Sequence, residues 1–420
     1  MHPLSAVRLV AAFAAWAAVS TIAAPTEAAK VGPVDDPVGV VKIPKGSPIQ
    51  IGGMYVVSGA DAAYGIDGTR AVEIAIEDKG SKVAGHPVKF LVEDDLCNAE
   101  GGQTAATKLA ANPNIVVVVG MDCSSATTPG APILWKAGIP SVGATPTAPK
   151  LTASDRGPTF DGFLRVVYND LWQGAGDAKW MYEDLKCKTA ATVHDGSPYA
   201  QQLVAVFKDN FEKMGGKVVA TEAISPTDVD MRPMLTRIAT TKPCVVYLPV
   251  FVAAGAQIAR QAKEMRDLDA TQVIVGSNML TSTFIEATGN TVSGIRLTAP
   301  DLSAEAMGKD YPKFLKRHKE KYGENPVQGF HMYSYDAVTL AMKAIEKVAV
   351  TDKEGNTYIG RKALRDALFA TKNYDGMSGK LNCTANGDCG TFKFAVYEFT
   401  NADPKTFNVG TNPKKVFPAK

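Results

Sequence analysis

Short apolar segments typical of β-strands alternate with helix-like segments over residues 48–275, and this alternation limits the fold more than any other feature. Apolar runs such as residues 115–119 have no polar face, which is typical of strands buried in a parallel sheet. The alternation runs through residues 49–142 and again through residues 170–275, without an obvious sequence repeat. The sequence therefore predicts an α/β protein with two doubly wound parallel-sheet lobes and a ligand cleft between them.

Length and composition support this prediction and exclude several classes of protein. A chain of 420 residues is longer than one hydrophobic core usually serves. With 45% hydrophobic and 21% charged residues, it is neither disordered, collagen-like nor a multi-spanning membrane protein. The 45 Lys and Arg residues nearly balance the 43 Asp and Glu residues. Neither nucleic acid nor an anionic membrane is therefore an expected partner.

Residues 1–29 have the pattern of a cleaved export signal. Arg8 precedes an apolar run over residues 9–24, and small residues follow it. This run of sixteen residues is shorter than the roughly 20 that a membrane-spanning helix needs. No cysteine precedes Cys97, so no thiol is available for a lipid anchor at the processed end. We expect a periplasmic protein, not lipid-anchored, that diffuses freely after the signal is removed.

The six cysteines are expected to form disulfides in an oxidising compartment, although sequence alone permits fifteen pairings. One pair brackets a polar turn, and each cysteine of a second pair precedes an apolar β-like segment. The last pair lies at strand ends in the first half of the chain. The expected disulfides are Cys383–Cys389, Cys187–Cys244 and Cys97–Cys123. A metal site is not expected, because no Cys-x-x-Cys motif occurs and the five histidines are scattered.

Motifs of the common enzyme classes are absent from the sequence. It contains no Gly-x-Ser-x-Gly, no phosphate-binding loop and no His-Glu-x-x-His. No Gly-x-Gly-x-x-Gly follows the first expected strand, so a dinucleotide cofactor is not expected. We therefore expect no cofactor and no catalytic step.

The segment over residues 116–129 is the most informative about function. An apolar strand ends at Gly120, and four hydroxyl residues precede an expected helix over residues 129–137: Ser124, Ser125, Thr127 and Thr128. Such hydroxyls either cap the free N–H groups of the helix or help these groups to bind an anion. A second small polar turn, residues 143–145, follows the next expected strand.

The chain from about residue 48 to residue 400 resembles the type I periplasmic solute-binding proteins of the branched-chain amino acid (Leu/Ile/Val-binding) family. The resemblance rests, in order, on IGGMYVVSGADAAYG, VEDDLCNAEGG, GMDCSSATTPGAPIL, IPSVGAT, VHDGSPYAQ, AQIARQA and QGFHMYSYDAV. It implies delivery of a small solute to an ABC-type importer by two lobes that close like a hinge. It also implies three crossover strands between the lobes and the Cys97–Cys123 disulfide.

These crossovers imply lobes built from separate stretches of chain. Residues 30–47, which contain several prolines, are expected to form an extended leader. We expect the first lobe to comprise residues 48–166 and 297–391. Residues 167–296 and 392–420 then form the second lobe.

The resemblance implies a grip on a ligand carboxylate in the first lobe. Ser124 corresponds to the serine that binds this carboxylate. Ala144 and Thr145 correspond to the next turn, whose backbone and hydroxyl complete the grip.

Four aromatic residues correspond to the walls of the family's pocket: Tyr64, Tyr199, Phe251 and Phe330. Each of them alone would as readily pack in a core. Together, at these positions, they predict stacking against a flat or apolar ligand body.

Asn278 departs from the pattern of the amino acid binders. Those proteins usually have an acidic residue there, which pairs with the α-ammonium group. Neutral hydrogen bonds are weaker than charge-assisted ones, and a buried ammonium without an anion is costly. Asp195 or Asp301 would have to compensate. An aromatic or hydrophobic carboxylic acid is therefore an expected ligand beside an amino acid.

The expected function is that of the periplasmic substrate-binding component of an ABC importer. Its expected partners are a small carboxylate ligand and the permease subunits, and we expect a monomer. The alternatives are a ligand-sensing module for a signalling partner and a periplasmic hydrolase.

Overall fold

The computed structural model describes residues 29–303 and 306–418. The predicted export signal lies, except for its last residue, outside the described residues. In the described part, the strands are β1 Ala29–Val31, β2 Val34–Asp36, β3 Val40–Ile43, β4 Ile49–Tyr55, β5 Lys82–Val83, β6 His86–Asp94, β7 Ile115–Gly120, β8 Ser141–Gly143, β9 Phe163–Arg165, β10 Thr189–His194, β11 Lys217–Ala223, β12 Val245–Leu248, β13 Gln272–Val275, β14 Arg296–Pro300, β15 Val350–Thr351, β16 Thr357–Gly360, β17 Tyr374–Gly376, β18 Gly379–Leu381, β19 Phe394–Glu398 and β20 Lys414–Phe417. The α-helices there are α1 Ala62–Asp78, α2 Ala99–Ala110, α3 Ser124–Lys136, α4 Asp170–Lys179, α5 Pro198–Lys213, α6 Arg232–Thr240, α7 Val252–Lys263, α8 Ser282–Thr288, α9 Tyr311–Tyr322, α10 His331–Val348 and α11 Arg361–Phe369.

Two large sheets organise the molecule. The first has the strand order β5-β6-β4-β7-β8-β9, and all its neighbours are parallel except the short β5. The second has the order β11-β10-β12-β13-β14-β19-β20, in which only β19 runs opposite to the other strands, so its pairings with β14 and β20 are antiparallel. The predicted fold of two parallel-sheet lobes is confirmed.

The apolar composition of the inner strands follows from helices on both faces of each sheet. All six residues of β7 are buried. Val117 and Val119 pack in one apolar cluster with residues of α1 and α10, whereas Val118 packs in another with α2 and α3. A strand covered on both faces needs apolar side chains at every position, which is why it reads as an uninterrupted apolar run.

The lobe boundary expected between residues 296 and 297 is wrong by one strand. All five residues of β14, Arg296–Pro300, belong to the second sheet, between β13 and β19. Leu297 and Ala299 are fully buried there. The chain therefore leaves the second sheet only after Pro300. This short strand was missed because it carries an arginine and a threonine beside its apolar residues.

Residues 30–47, expected to form an extended leader, make short strands beside the first lobe. β3 pairs antiparallel with β16, which also pairs with β15. The carboxylate of Asp36 accepts the backbone N–H groups of Lys362 and Ala363, at 3.1 and 3.0 Å, in the first turn of α11. This contact satisfies free donors of that helix and fastens the leader to the fold.

All three predicted disulfides are present: Cys97–Cys123, Cys187–Cys244 and Cys383–Cys389. The first joins the segment after β6 to the residue that precedes α3. It thus fixes the loop in which α3 begins.

Residues 29–303 and 306–418 contain neither a membrane-spanning helix nor a cluster of metal-binding side chains. No helix among them is long and apolar enough to cross a membrane. They contain no group of three or more His, Cys, Asp or Glu side chains that is arranged to hold a metal ion.

Candidate functional site

A cavity lies between the lobes, where the carboxyl ends of strands from both sheets face each other. The space between its walls, including the part open to solvent, is about 460 Å³. The residues that line it are Tyr64, Asp122, Cys123, Ser124, Thr145, Thr147, Tyr168, Tyr199, Phe251, Ser277, Asn278 and Phe330. Crevices at the carboxyl ends of parallel strands are the usual ligand sites of doubly wound sheets.

Seven of the eight residues predicted to bind ligand line this cavity, and Ala144 does not. It belongs to the turn whose backbone was expected to take part in the carboxylate grip, and its N–H donates to the carbonyl oxygen of Gly120 at 2.6 Å. This bond continues the pairing of β8 with β7, so the N–H is not available to a ligand.

Gly120 turns the chain from β7 into the cavity. Its φ of 97° lies in the left-handed region, and a Cβ there would lie 2.5 Å from the carbonyl oxygen of Met54. Only glycine fits such a position. The turn places Asp122 and Ser124 in the cavity wall at the start of α3.

Ser124 is the first residue of α3 and is buried. Its hydroxyl oxygen accepts the backbone N–H of Ala148 at 3.2 Å. No acceptor for its proton is present in the described part of the chain. The N-cap residue, Cys123, makes no side-chain capping bond. The start of α3 therefore presents a free hydroxyl proton and uncapped backbone donors, an arrangement that favours an anion.

The other three hydroxyls of this segment have a different role. Ser125 donates to the carbonyl oxygen of Cys97 at 2.6 Å, and Thr127 donates to that of Cys123 at 2.9 Å. Thr128 donates to the carbonyl oxygen of Ser124 at 2.7 Å. These hydroxyls satisfy backbone carbonyl groups, and none of them lines the cavity.

Asp122 is a cavity residue that the sequence analysis missed. Its carboxylate accepts the backbone N–H of Val56 at 3.4 Å and the hydroxyl of Thr145 at 3.3 Å. Burial raises the pKa of Asp122 well above its usual value, and the nearby Asp95 carboxylate raises it further. Its position just beyond the carboxyl end of a buried parallel strand was the signal that could have identified it.

Two aromatic pairs line the cavity from opposite sides. In the first lobe, the rings of Tyr64 and Phe330 lie 6.2 Å apart. In the second lobe, those of Tyr199 and Phe251 lie 5.9 Å apart, edge to face. All four rings expected at the pocket thus meet there and offer an apolar surface to a ligand.

Asn278 lines the cavity, but its amide is engaged within the second lobe. Its Nδ2 donates to the carbonyl oxygen of Val250 at 2.6 Å, and its Oδ1 accepts the hydroxyl of Tyr199 at 3.2 Å. Its backbone carbonyl accepts the hydroxyl of Tyr64 from the first lobe. Asn278 therefore helps to hold the lobes together.

The two acidic residues considered as substitutes for an acid at position 278 do not line the cavity. Asp301 pairs with Lys415 at 2.6 Å. Asp195 accepts the backbone N–H groups of Ser197 and Phe251, at 3.0 and 3.3 Å. Both carboxylates have other partners.

Tyr168 and Ser277 also line the cavity and belong to one hydrogen-bond network. Tyr168 and Ser277 both donate to Oε1 of Gln173, at 2.7 and 3.1 Å. Thr147, another lining residue, donates to Asp170 at 2.8 Å. No sequence motif marked these residues, because they come from separate stretches of the chain that meet only in the fold.

Comparison with known sequences decides the family of this chain. The sequence profile of the periplasmic binding protein family matches residues 48–404. The chain belongs to this family. It is 29% identical over 355 residues to the Leu/Ile/Val-binding protein BraC3 of Rhizobium johnstonii, an alignment that covers 84% of this chain and 91% of the relative. The expected membership in the type I, Leu/Ile/Val-binding family is confirmed.

Solved structures share the fold of this periplasmic binding protein. One is the branched-chain amino acid transporter substrate-binding protein of Streptococcus pneumoniae in complex with isoleucine. It has a TM-score of 0.72 and 21% identity, and the match covers 85% of this chain and 97% of that one. Another is a solute-binding protein of an R. palustris ABC transporter in complex with benzoate. It has a TM-score of 0.71 and 20% identity, with coverage of 88% and 95%.

Proposed function

We propose that this protein captures a small solute with a carboxylate group in the periplasm and presents it, chemically unchanged, to the permease of an ABC importer. The solute is an amino acid or an aromatic or hydrophobic carboxylic acid. The observation that carries the proposal is the cavity between the lobes, into which the start of α3 presents the free hydroxyl of Ser124.

The polar part of the cavity suits a carboxylate. No Lys or Arg is among the residues that line it, so a ligand anion is bound by neutral donors. The uncapped N–H groups at the start of α3 and the helix dipole supply such donors. Hydrogen bonds to a charged group contribute about 1.5–3 kcal/mol each.

The aromatic pairs suit the rest of such a solute. Tyr64 and Phe330 on one side and Tyr199 and Phe251 on the other can enclose a flat or branched apolar body. The relatives support both classes of solute, because one is named a Leu/Ile/Val-binding protein and the structural neighbours hold isoleucine and benzoate.

Closure of the lobes would signal capture to the permease. The bond from the Tyr64 hydroxyl to the Asn278 carbonyl crosses the cleft and exists only when the lobes meet. A solute that touches both walls shifts the population toward this closed form.

We further propose that the exported protein is a monomer without a lipid anchor, processed after about residue 29.

The test begins with a thermal-shift screen of the mature protein, unfolded and refolded to remove any carried ligand. Aliphatic amino acids are compared with aromatic and aliphatic carboxylic acids. A ligand at a hundred times its Kd adds about 2.7 kcal/mol to the free energy of unfolding, which raises the midpoint. Mass spectrometry should then recover the ligand unchanged. Stabilisation only by solutes without a carboxylate, or conversion of the ligand, would refute the proposal.

A further inference from the structure

Asp122 is the one acidic residue among the described residues that line the cavity, and no Lys, Arg or His is among them. A carboxylate in a buried site without a cationic partner is costly unless a ligand supplies one. Near Asp122, the cavity therefore lacks a positive charge that would balance this carboxylate.

The existing hydrogen bonds of Asp122 leave its carboxylate able to accept further hydrogen bonds from a ligand. Its two contacts, with the Val56 N–H and the Thr145 hydroxyl, measure 3.4 and 3.3 Å. Charge-assisted hydrogen bonds to a carboxylate are usually about 2.7–2.9 Å long. The two existing contacts are thus weak, and neither brings a positive charge.

Thr145 offers a second hydrogen-bond acceptor beside Asp122. Its hydroxyl donates to the backbone carbonyl oxygen of Asp122 at 2.6 Å. This single proton is shared between that carbonyl oxygen and, at 3.3 Å, the Asp122 carboxylate, so the Thr145 oxygen can offer a ligand only a lone pair. Asp122 and Thr145 can therefore both accept a hydrogen bond from the solute.

Ser124 lies only two residues farther along and has the opposite character. Its oxygen accepts the Ala148 N–H, and its proton remains free to be donated to the cavity. The first-lobe wall thus places a donor for a ligand carboxylate beside acceptors for a positively charged group. A solute that carries an ammonium group next to its carboxylate matches both.

The second lobe provides no competing site for the ammonium. The Asn278 side chain is uncharged, and its N–H donates to Val250 within its own lobe. Asp195 and Asp301 do not line the cavity.

We propose that Asp122 binds the ammonium group of the solute and thereby selects α-amino acids over carboxylic acids that lack this group. The inference rests on the proposed function and names the solute class. A plain carboxylic acid would place its carboxylate near that of Asp122, and like charges in a buried site repel each other. The raised pKa of Asp122 fits a carboxylate that lacks its cation, with Asp95, Tyr55 and Tyr64 as its titratable neighbours.

The test compares two pairs of solutes that differ only in the ammonium group: leucine with 4-methylpentanoate, and phenylalanine with 3-phenylpropanoate. Affinities are measured by calorimetry for the mature protein and for Asp122→Asn, which keeps the size of the side chain. The unsubstituted protein should bind one of the amino acids at least tenfold more tightly than its deaminated partner. Asp122→Asn should lower that affinity at least tenfold and leave the affinity for the deaminated partner equal or higher.

Each other outcome overturns the inference. If the unsubstituted protein prefers the deaminated acid, or if Asp122→Asn leaves amino acid affinity unchanged, the inference fails and the proposed function stands. If no carboxylate solute binds in this assay or in the wider screen, both fail. If Asp122→Asn does not fold, Asp122→Ser takes its place, and an unchanged amino acid preference in that variant overturns the inference.

Discussion

The two walls of the cavity differ in what their polar atoms do. In the first-lobe wall, the Ser124 hydroxyl proton and the Asp122 carboxylate remain available to a ligand. In the second-lobe wall, the polar side chains bond to protein groups: Asn278 to Val250 and Tyr199, and Ser277 to Gln173. Each wall also carries an aromatic pair. Both walls are therefore apolar in part, but among the described residues only the first has a carboxylate and a hydroxyl proton without an acceptor.

This difference assigns different tasks to the lobes in our proposal. The first lobe recognises the charged end of the solute, because free donors and acceptors are concentrated there. The second lobe covers the apolar body and completes closure through the carbonyl of Asn278, which accepts the Tyr64 hydroxyl. A change in the first wall should therefore affect recognition, and a change in the second should affect stability.

Besides Asp122→Asn, the largest effect on binding is expected from Ser124→Ala. Loss of the free hydroxyl should weaken binding of the carboxylate solute by about 1–3 kcal/mol, measured by calorimetry. Ser125→Ala is the matched control, because the Ser125 hydroxyl lies in the next residue but donates to Cys97 outside the cavity. Equal losses in the two variants would show that the Ser124 hydroxyl is not part of recognition.

Asn278→Asp tests whether the second wall can accept a charge. The substitution removes the N–H that donates to Val250 and places a carboxylate oxygen against that carbonyl. We expect a loss of about 1–3 kcal/mol in the free energy of unfolding at pH 8 and no gain in amino acid affinity.

The pH dependence of this loss has a defined sign. Burial near a carbonyl group raises the pKa of the introduced carboxyl above its unfolded value. The folded variant then binds more protons than the unfolded chain, so the loss should shrink as the pH falls from 8 to 5. Chemical denaturation of the variant and the parent at both pH values measures it. Tighter amino acid binding by the variant would contradict the assignment of the ammonium group to the first wall.

The smallest effect is expected from Tyr64→Phe, which removes one hydrogen bond between the lobes, the bond at the cavity. Since one neutral bond contributes about 0.5–1.5 kcal/mol, ligand affinity should fall two- to tenfold. Small-angle scattering should show a less closed protein at subsaturating ligand. Tyr199→Phe is the control, because its bond to Asn278 lies within one lobe and persists when the lobes separate. A greater opening in Tyr199→Phe than in Tyr64→Phe would contradict this account.

The fold and most of the cavity could be predicted from local patterns. The runs that became β7 and β12 are wholly buried, and such strands are recognisable without any knowledge of their neighbours. The four aromatic residues expected at the pocket meet there, as the family resemblance implied. Position along the chain also identified all three disulfides.

The errors arose where partners far apart in sequence decide the outcome. β14 is a strand because β13 and β19 flank it. Ala144 donates to Gly120 because β7 and β8 are neighbours. α3 begins at Ser124, five residues before the expected start, because the loop joined to Cys97 holds its first turn.

The sequence by itself determined the two-lobed α/β fold, the cysteine pairs and the family, because hydrophobic periodicity and motif order are local properties of a chain. Only the tertiary structure decided which polar atoms remain free in the cavity. Within the described part of the chain, the proton of Ser124 has no acceptor and the carboxylate of Asp122 has only long contacts, whereas the amide of Asn278 bonds to Val250 and Tyr199. The physical reason is that a hydrogen bond is a pairwise contact in space, so an atom is free or engaged according to neighbours that folding brings to it.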